Sequence, residues 1–176
     1  PEKDPRAVRS RLDLRRVNFF MGNVGIMASR LRHLFPGGFP ERIVELGAGD
    51  GTFALRLVRK IVNGARNREL VLVDRQRLVS PAVQERFLRS GWRAKVVPAD
   101  VFDFLSTTDE ADCIFANLFL HHFDGDKLSL LLRLVAEKTR AFIACEPHRS
   151  QVGILGTGLL GLIGCNAVTR HDATIS

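Results

Sequence analysis

Three alternating glycines lie between an apolar run and a stretch of helical period in the first third of this 176-residue chain. The segment Arg42–Leu57 has the sequence R-I-V-E-L-G-A-G-D-G-T-F-A-L-R-L. Such a pattern predicts a strand, a tight turn and a helix. Glycines at alternate positions let the backbone approach a ligand where a Cβ would collide, and the helix N-terminus adds free N–H groups. We therefore expect a ligand-binding turn formed by Gly47, Ala48, Gly49 and Gly51.

Glu45 stands two residues before the first of these glycines. A carboxylate beside the turn would repel the phosphate groups that glycine-rich turns often bind. It suits a ligand with cationic or hydroxylated parts, and we include Glu45 among the candidate binding residues.

Strand-like and helix-like segments alternate along the rest of the chain. Strands are predicted at residues 42–46, 70–74, 94–98, 112–116 and 141–145, and helices at 12–35, 52–63, 81–90 and after the capping residue Asp124. In the first helix Gly22 and Gly25 are expected weak points. Strands separated by helices of this length imply right-handed βαβ units. The sequence therefore predicts an α/β fold, an open, doubly wound, mainly parallel sheet with helices on both faces.

Acidic residues stand where the second and third predicted strands end. In a doubly wound sheet the ligand lies outside the carboxyl ends of the strands. Asp74 could accept both hydroxyls of a ribose, and Asp100 could accept from an exocyclic amine such as that of adenine. Asp100 could instead cap the helix that follows it. A dinucleotide is a rival ligand, but its fingerprint requires a small third residue at the position of Thr52.

The chain resembles the class I S-adenosylmethionine-dependent methyltransferases in four segments that occur in the order and spacing of that family. These are V-E-L-G-A-G-D-G-T, L-V-L-V-D-R, V-V-P-A-D-V-F and D-C-I-F-A-N-L-F-L-H-H-F. The last of them, with R-R-V-N-F-F-M-G-N near the start, is similar to quinone-biosynthesis and polyketide-associated methyltransferases. The resemblance implies a Rossmann-like methyltransferase fold and S-adenosyl-L-methionine as cofactor.

The same resemblance implies roles for individual residues. The three glycines, with Glu45 and Ala48, would approach the methionine and ribose parts, and Asp74, followed by Arg75, would bind the ribose. Asp100 and the amide of Val101 would contact the adenine. Asn117 and Leu118 would line the cofactor near its sulfonium.

Two adjacent histidines, His121 and His122, follow the fourth predicted strand. Imidazole titrates near pH ~6.5, so either could act as the base that a phenolic acceptor requires. Because adjacent residues in extended chain point in opposite directions, only one is expected to face the substrate. The alternative is that both only cap the strand.

The net charge of +7 raises the possibility of a nucleic-acid substrate. The chain has no basic and aromatic platform for single strands, and A-N-L-F replaces the N-P-P-Y-type loop of base-amine methyltransferases. We therefore expect a small apolar hydroxylated acceptor (a phenol, quinol or polyketide), with an RNA or DNA methyltransferase as the alternative. A third possibility is a cofactor-binding partner subunit without catalysis. Three cysteines without metal-ligand spacing predict no metal site, and the polar start of the chain predicts a cytoplasmic protein.

Three regions are expected. Residues 1–35 form a basic arm and a lid or packing helix, residues 36–149 the cofactor-binding core, and residues 150–176 an apolar cap. Residues 150–169 are twenty without a charge, but five glycines among them argue against a stable membrane span. They could also form a homodimer surface. By comparison with the family, the last two strands of the sheet are expected to be missing.

Overall fold

Five strands alternate with helices in the computed structural model, which describes residues 22–61 and 68–146. The strands are β1 Arg42–Leu46, β2 Arg68–Asp74, β3 Trp92–Pro98, β4 Cys113–Asn117 and β5 Phe142–Cys145. The helices are α1 Asn23–Leu34, α2 Thr52–Ile61, α3 Pro81–Arg89, α4 Val101–Thr107 and α5 Gly125–Lys138, with a short 3₁₀ turn at Leu120–His122. Every predicted strand is present, with bounds that differ by no more than two residues.

The described strands form one parallel sheet in the order β3-β2-β1-β4-β5. The chain moves outward from β1 to β3 and then crosses back to β4 on the other side of β1. The strand order therefore reverses between β1 and β4, and a crevice at their carboxyl ends is where such sheets bind ligands. The predicted open, doubly wound parallel sheet is confirmed.

Alternate residues of each strand contribute to two separate cores. Ile43 of β1 packs in a cluster with α1, α2 and α3, whereas Val44 packs on the opposite face with α4 and α5. Successive side chains of a strand point to opposite faces, so Glu45 belongs to the face of Ile43. Both faces of the sheet are covered, which explains why the strands are almost continuously apolar.

Local signals explain where the helices begin. Ser80 caps α3, its Oγ accepting from the N–H of Val83 at 3.3 Å, and Pro81 occupies the first helical position. Asp124 stands at the cap position of α5, but its side chain makes no capping bond. The prediction that Asp124 caps this helix is therefore wrong for the side chain, and its backbone carbonyl accepts from Lys127 and Leu128 instead.

The predicted helix over residues 12–35 does not run unbroken through Gly22. Gly22 has φ +65°, outside the right-handed helical region, and α1 begins at the next residue. The part before Gly22 lies outside the described residues, as do residues 150–176 with their predicted cap and homodimer surface. Among the helices that are described, none has the length and apolar character to cross a membrane.

Candidate functional site

Three residues of the turn after β1 have backbone conformations that only glycine adopts readily. Gly47, Gly49 and Gly51 have φ of +71°, +54° and +74°, in the left-handed region where other residues are strained. This sharp turn lies at the carboxyl end of the central strand, beside the point where the strand order reverses.

The three glycines have different surroundings. A Cβ on Gly51 would lie 3.3 Å from Leu72 Cδ1 and 3.4 Å from a Val79 methyl, so this glycine allows close packing of the turn on the sheet. A Cβ on Gly47 would overlap the ring of Phe119. At Gly49 no described atom lies within 4 Å of such a Cβ. Of the three, Gly49 presents its backbone to open space.

Asp74 joins the end of β2 to this turn. Its Oδ2 accepts from the N–H of Gly49 at 2.9 Å, and its Oδ1 accepts from the N–H of Gln76 at 3.0 Å. A carboxylate offers about four acceptor positions, so two remain for other donors. The carboxylate is held in place by backbone groups and can still accept from a hydroxylated ligand.

Glu45 is buried beneath the turn, with 2% of its surface exposed. Its Oε2 has no hydrogen-bond partner among the described residues. Burial raises the pKa of Glu45 well above its ordinary value, and the negative charges of Asp50 and Asp74 raise the pKa further. Three carboxyl groups therefore surround the glycine turn, and they give it an acidic character that is unsuited to phosphate.

Asp100 caps α4 and holds an arginine at the same time. Its Oδ1 accepts from the N–H of Phe102 at 2.9 Å, and its Oδ2 accepts from Arg75 Nε at 3.1 Å and Arg75 Nη2 at 2.6 Å. The bond from Phe102 lowers the pKa of Asp100 most, burial acts in the opposite direction, and the bond and charge of Arg75 lower the pKa further. Asp100 therefore caps the helix, as the alternative interpretation predicted. Its ion pair with Arg75 was not predicted. Val101, the first residue of α4, has its side chain buried.

The residues after β4 include a strained one. Asn117, the last residue of the strand, is buried. Leu118 has φ +52°, and its N–H donates to the carbonyl of Cys145 at 2.8 Å. A left-handed leucine costs on the order of 1–2 kcal/mol, and such strain tends to occur at functional sites.

The two histidines stand side by side. Their ring centroids are 4.2 Å apart with 44° between the ring planes. The expectation that they point in opposite directions is wrong, because they follow each other in a 3₁₀ turn rather than in extended chain. His121 is half-buried and His122 is exposed. Both can therefore face the same side of the site.

A row of aromatic rings accompanies these histidines, and it was not predicted. Phe119 lies 5.1 Å from Phe123, and Phe123 lies 5.6 Å from Phe102, in edge-to-face arrangements. The three rings are half-buried against the core on the side of α4 and α5. The two phenylalanines spaced four residues apart in N-L-F-L-H-H-F were the sequence signal that could have predicted this row. Among the described residues no cluster of His, Cys, Asp and Glu could hold a metal ion.

Solved structures that are similar to this chain include methyltransferases. The plantazolicin methyltransferase BpumL, solved in complex with SAH, has a TM-score of 0.67 and 17% identity, over 99% of this chain and 65% of that one. The plantazolicin methyltransferase BamL has a TM-score of 0.65 and 15% identity, over 99% of this chain and 61% of that one. An O-methyltransferase family protein from Burkholderia thailandensis has a TM-score of 0.55 and 16% identity, over 75% of this chain and 38% of that one. At such identities the likeness concerns the fold.

The present chain thus spans 65% of the length of BpumL. No curated protein sequence matches it. A sequence model described as a methyltransferase domain matches residues 43–141, from β1 almost to β5 and more than half of the chain. The chain therefore belongs to the methyltransferase domain family, as its resemblance to the class I S-adenosylmethionine-dependent methyltransferases predicted.

Proposed function

We propose that this chain binds S-adenosyl-L-methionine at the carboxyl ends of β1 and β2. Its methyl group would be transferred to a small, apolar, hydroxylated acceptor such as a phenol, quinol or polyketide. The family supports the reaction type, and the acidic glycine turn supports the choice of cofactor.

The acidic turn is the observation that carries the proposal. Asp50 stands within the glycine turn, and Asp74 Oδ2 accepts from the N–H of Gly49 in that turn at 2.9 Å. A dinucleotide would bring its pyrophosphate against these carboxyl groups, which would repel it. S-adenosylmethionine carries no phosphate and has two positive groups, the sulfonium and the ammonium. The electrostatics of the turn therefore favour this ligand over NAD.

The described residues fit such a ligand. The free acceptor positions of Asp74 suit two ribose hydroxyls, and the open space at Gly49 leaves room for the chain of the ligand. The unpartnered Oε2 of Glu45 suits a hydrogen-bond donor. Near the expected position of the adenine, Asp100 already accepts hydrogen bonds from Arg75 and Phe102. We therefore assign two roles to Asp100: it holds Arg75 in place and it contacts the adenine.

The chemistry demands mainly orientation. When bound, S-adenosylmethionine supplies an activated methyl group on a sulfonium, and S-adenosylhomocysteine is left after transfer. The aromatic row would exclude water and hold an apolar acceptor. His121 or His122 would accept the proton of the acceptor hydroxyl, because both stand on the turn that follows β4.

Calorimetric titration with S-adenosylhomocysteine tests the cofactor. We expect micromolar binding by the unaltered chain, loss of at least tenfold in affinity in Asp74→Ala, and no binding of NAD. Asp103→Ala is the matched control, because Asp103 is an exposed acid in the first turn of α4. NAD binding, or equal affinity in Asp74→Ala, would contradict the proposal, provided that thermal unfolding shows the variant to be folded.

Methyl transfer to a panel of phenols and quinols tests the histidines. We expect His121→Gln or His122→Gln to lower kcat by roughly 10²–10⁴-fold while the affinity for S-adenosylhomocysteine stays unchanged. Binding without turnover in the unaltered chain would favour a non-catalytic partner subunit instead. Steeply salt-dependent binding of mixed oligonucleotides would favour a nucleic-acid substrate. The predicted cytoplasmic location remains a prediction.

A further inference from the structure

The ring of Phe119 lies directly against the first glycine of the acidic turn. A Cβ built on Gly47 would overlap the ring atoms Cδ2, Cγ and Cε2. Phe119 belongs to the segment after β4, whereas Gly47 follows β1, so the contact crosses the place where the strand order reverses. A glycine at position 47 is required to make room for this ring, as well as for the turn itself.

Aromatic neighbours hold the ring in place. Phe119 meets Phe123 at an interplanar angle of 73°, and Phe123 meets Phe102 at 86°. Such edge-to-face pairs are favourable because the positive edge of one ring meets the negative face of the next. The Phe119 ring is therefore held beside the glycine turn.

We propose that the Phe119 ring recognises the positive charge of the methyl donor and so favours S-adenosylmethionine over its demethylated product. The inference rests on the proposed function, since it requires the methionine part of the donor to lie along Gly47. Aromatic rings attract cations through the electron density of their faces. The donor has a sulfonium, whereas the product has an uncharged thioether.

The carboxyl groups of the turn do not supply this discrimination by themselves. The carboxylates of Asp50 and Asp74 attract the ammonium group, which donor and product share. Phe119 is the described aromatic side chain that touches the glycine turn at Gly47. A ring at this place can distinguish the two molecules by the charge on sulfur, because a cation–π contact weakens when the charge is removed.

The test compares the dissociation constants of S-adenosylmethionine, S-adenosylhomocysteine and sinefungin, an analogue with an amine in place of the sulfonium. In Phe119→Leu we expect affinity for S-adenosylmethionine and sinefungin to fall roughly 5–30-fold, the size of a cation–π contact, and affinity for S-adenosylhomocysteine to fall less than about twofold. Phe119→Tyr should keep the preference because it keeps the ring. Phe39→Leu is the matched control, because Phe39 is a half-buried ring that precedes β1 and packs in the other core cluster, and we expect it to leave the preference for the donor unchanged.

The outcomes separate this inference from the proposed function. Equal losses for donor and product in Phe119→Leu would mean an apolar wall without charge recognition and would overturn the inference. Tighter binding of both donor and product by Phe119→Leu would mean that the ring obstructs the ligand and must move away for binding. This outcome would also overturn the inference. Failure of the unaltered chain to bind any of the three ligands would refute the proposed function itself. If Phe119→Leu does not fold, Phe119→Met removes the ring with little change in volume.

Discussion

Replacing Glu45 by glutamine is expected to stabilise the domain by an amount that grows with pH. The side chain is 2% exposed, and burial with the charges of Asp50 and Asp74 raises its pKa far above the ordinary 4.5. As pH rises, the unfolded chain loses this proton at a lower pH than the folded chain does. The folded state therefore binds more protons, and the stability of the unaltered chain falls as pH rises from the ordinary pKa to the raised one.

The magnitude follows from the linkage between protons and folding. While the folded carboxyl stays protonated and the unfolded one is ionised, each pH unit removes on the order of 1 kcal/mol of stability. Glutamine has nearly the same shape and does not titrate. The difference in unfolding free energy between Glu45→Gln and the unaltered chain should therefore grow by on the order of 1 kcal/mol for each pH unit between the ordinary pKa and the raised one.

Urea unfolding at pH 5, 6 and 7 measures this difference. The matched control is Glu85→Gln, since Glu85 on α3 has 61% of its side chain exposed, and it is expected to change stability by less than about 0.5 kcal/mol at pH 7. A difference for Glu45→Gln that is the same at pH 5 and pH 7 would refute the reasoning, because the folded carboxyl would then ionise as freely as the unfolded one. If the proposed function is right, the stabilised variant should also bind S-adenosylhomocysteine more weakly, as is common for binding sites.

Three further predictions concern the same edge of the sheet and the opposite one. Gly47→Ala should destabilise the domain by about 2–4 kcal/mol, because the cost of a left-handed φ and the cost of the overlap with Phe119 are summed. Adding Phe119→Ala to this variant should remove the cost of the overlap, which a double-mutant cycle measured by urea unfolding would show. Leu118→Gly should be more stable than Leu118→Ala by about 1 kcal/mol, since glycine relieves the strain at φ +52°; the reverse order in thermal unfolding would show that the strain is absent. Asp112→Ala should cost about 1–2 kcal/mol, because Asp112 Oδ2 accepts from the N–H groups of Glu41 and Arg42 at 2.8 and 2.9 Å; a loss below the error of urea unfolding would contradict this.

The fold could be predicted from local pattern because the pattern and the packing agree. Apolar runs that end at Gly47, Asp74 and Asn117 are the strands that lie at or beside the centre of the sheet. The Ser80-Pro81 pair predicted the start of α3 to the residue, since a cap depends on only a few neighbouring residues. At Gly22 and Asp124 the same local signals allowed more than one backbone conformation, and the predictions were less accurate there.

The candidate site was predicted in its composition but not in its contacts. The acids at 45, 74 and 100 were identified because parallel strands bring their carboxyl ends to one edge. The pair of Asp100 with Arg75 and the contact of Phe119 with Gly47 join residues that are 25 and 72 positions apart. No periodicity in the chain encodes such contacts, since they depend on strand order and on how the loops cross the edge.

The sequence by itself determined the order of strands and helices, the glycine turn and the acidic residues that follow the strands. These features depend on backbone preference and on apolar spacing, which act over a few residues. Only the tertiary structure decided that Glu45 is buried with an unpartnered oxygen, that both histidines stand together, and that an aromatic ring covers Gly47. The burial of Glu45 and the contact of the Phe119 ring with Gly47 depend on β4 pairing with β1, and these two strands are neighbours only in the folded sheet.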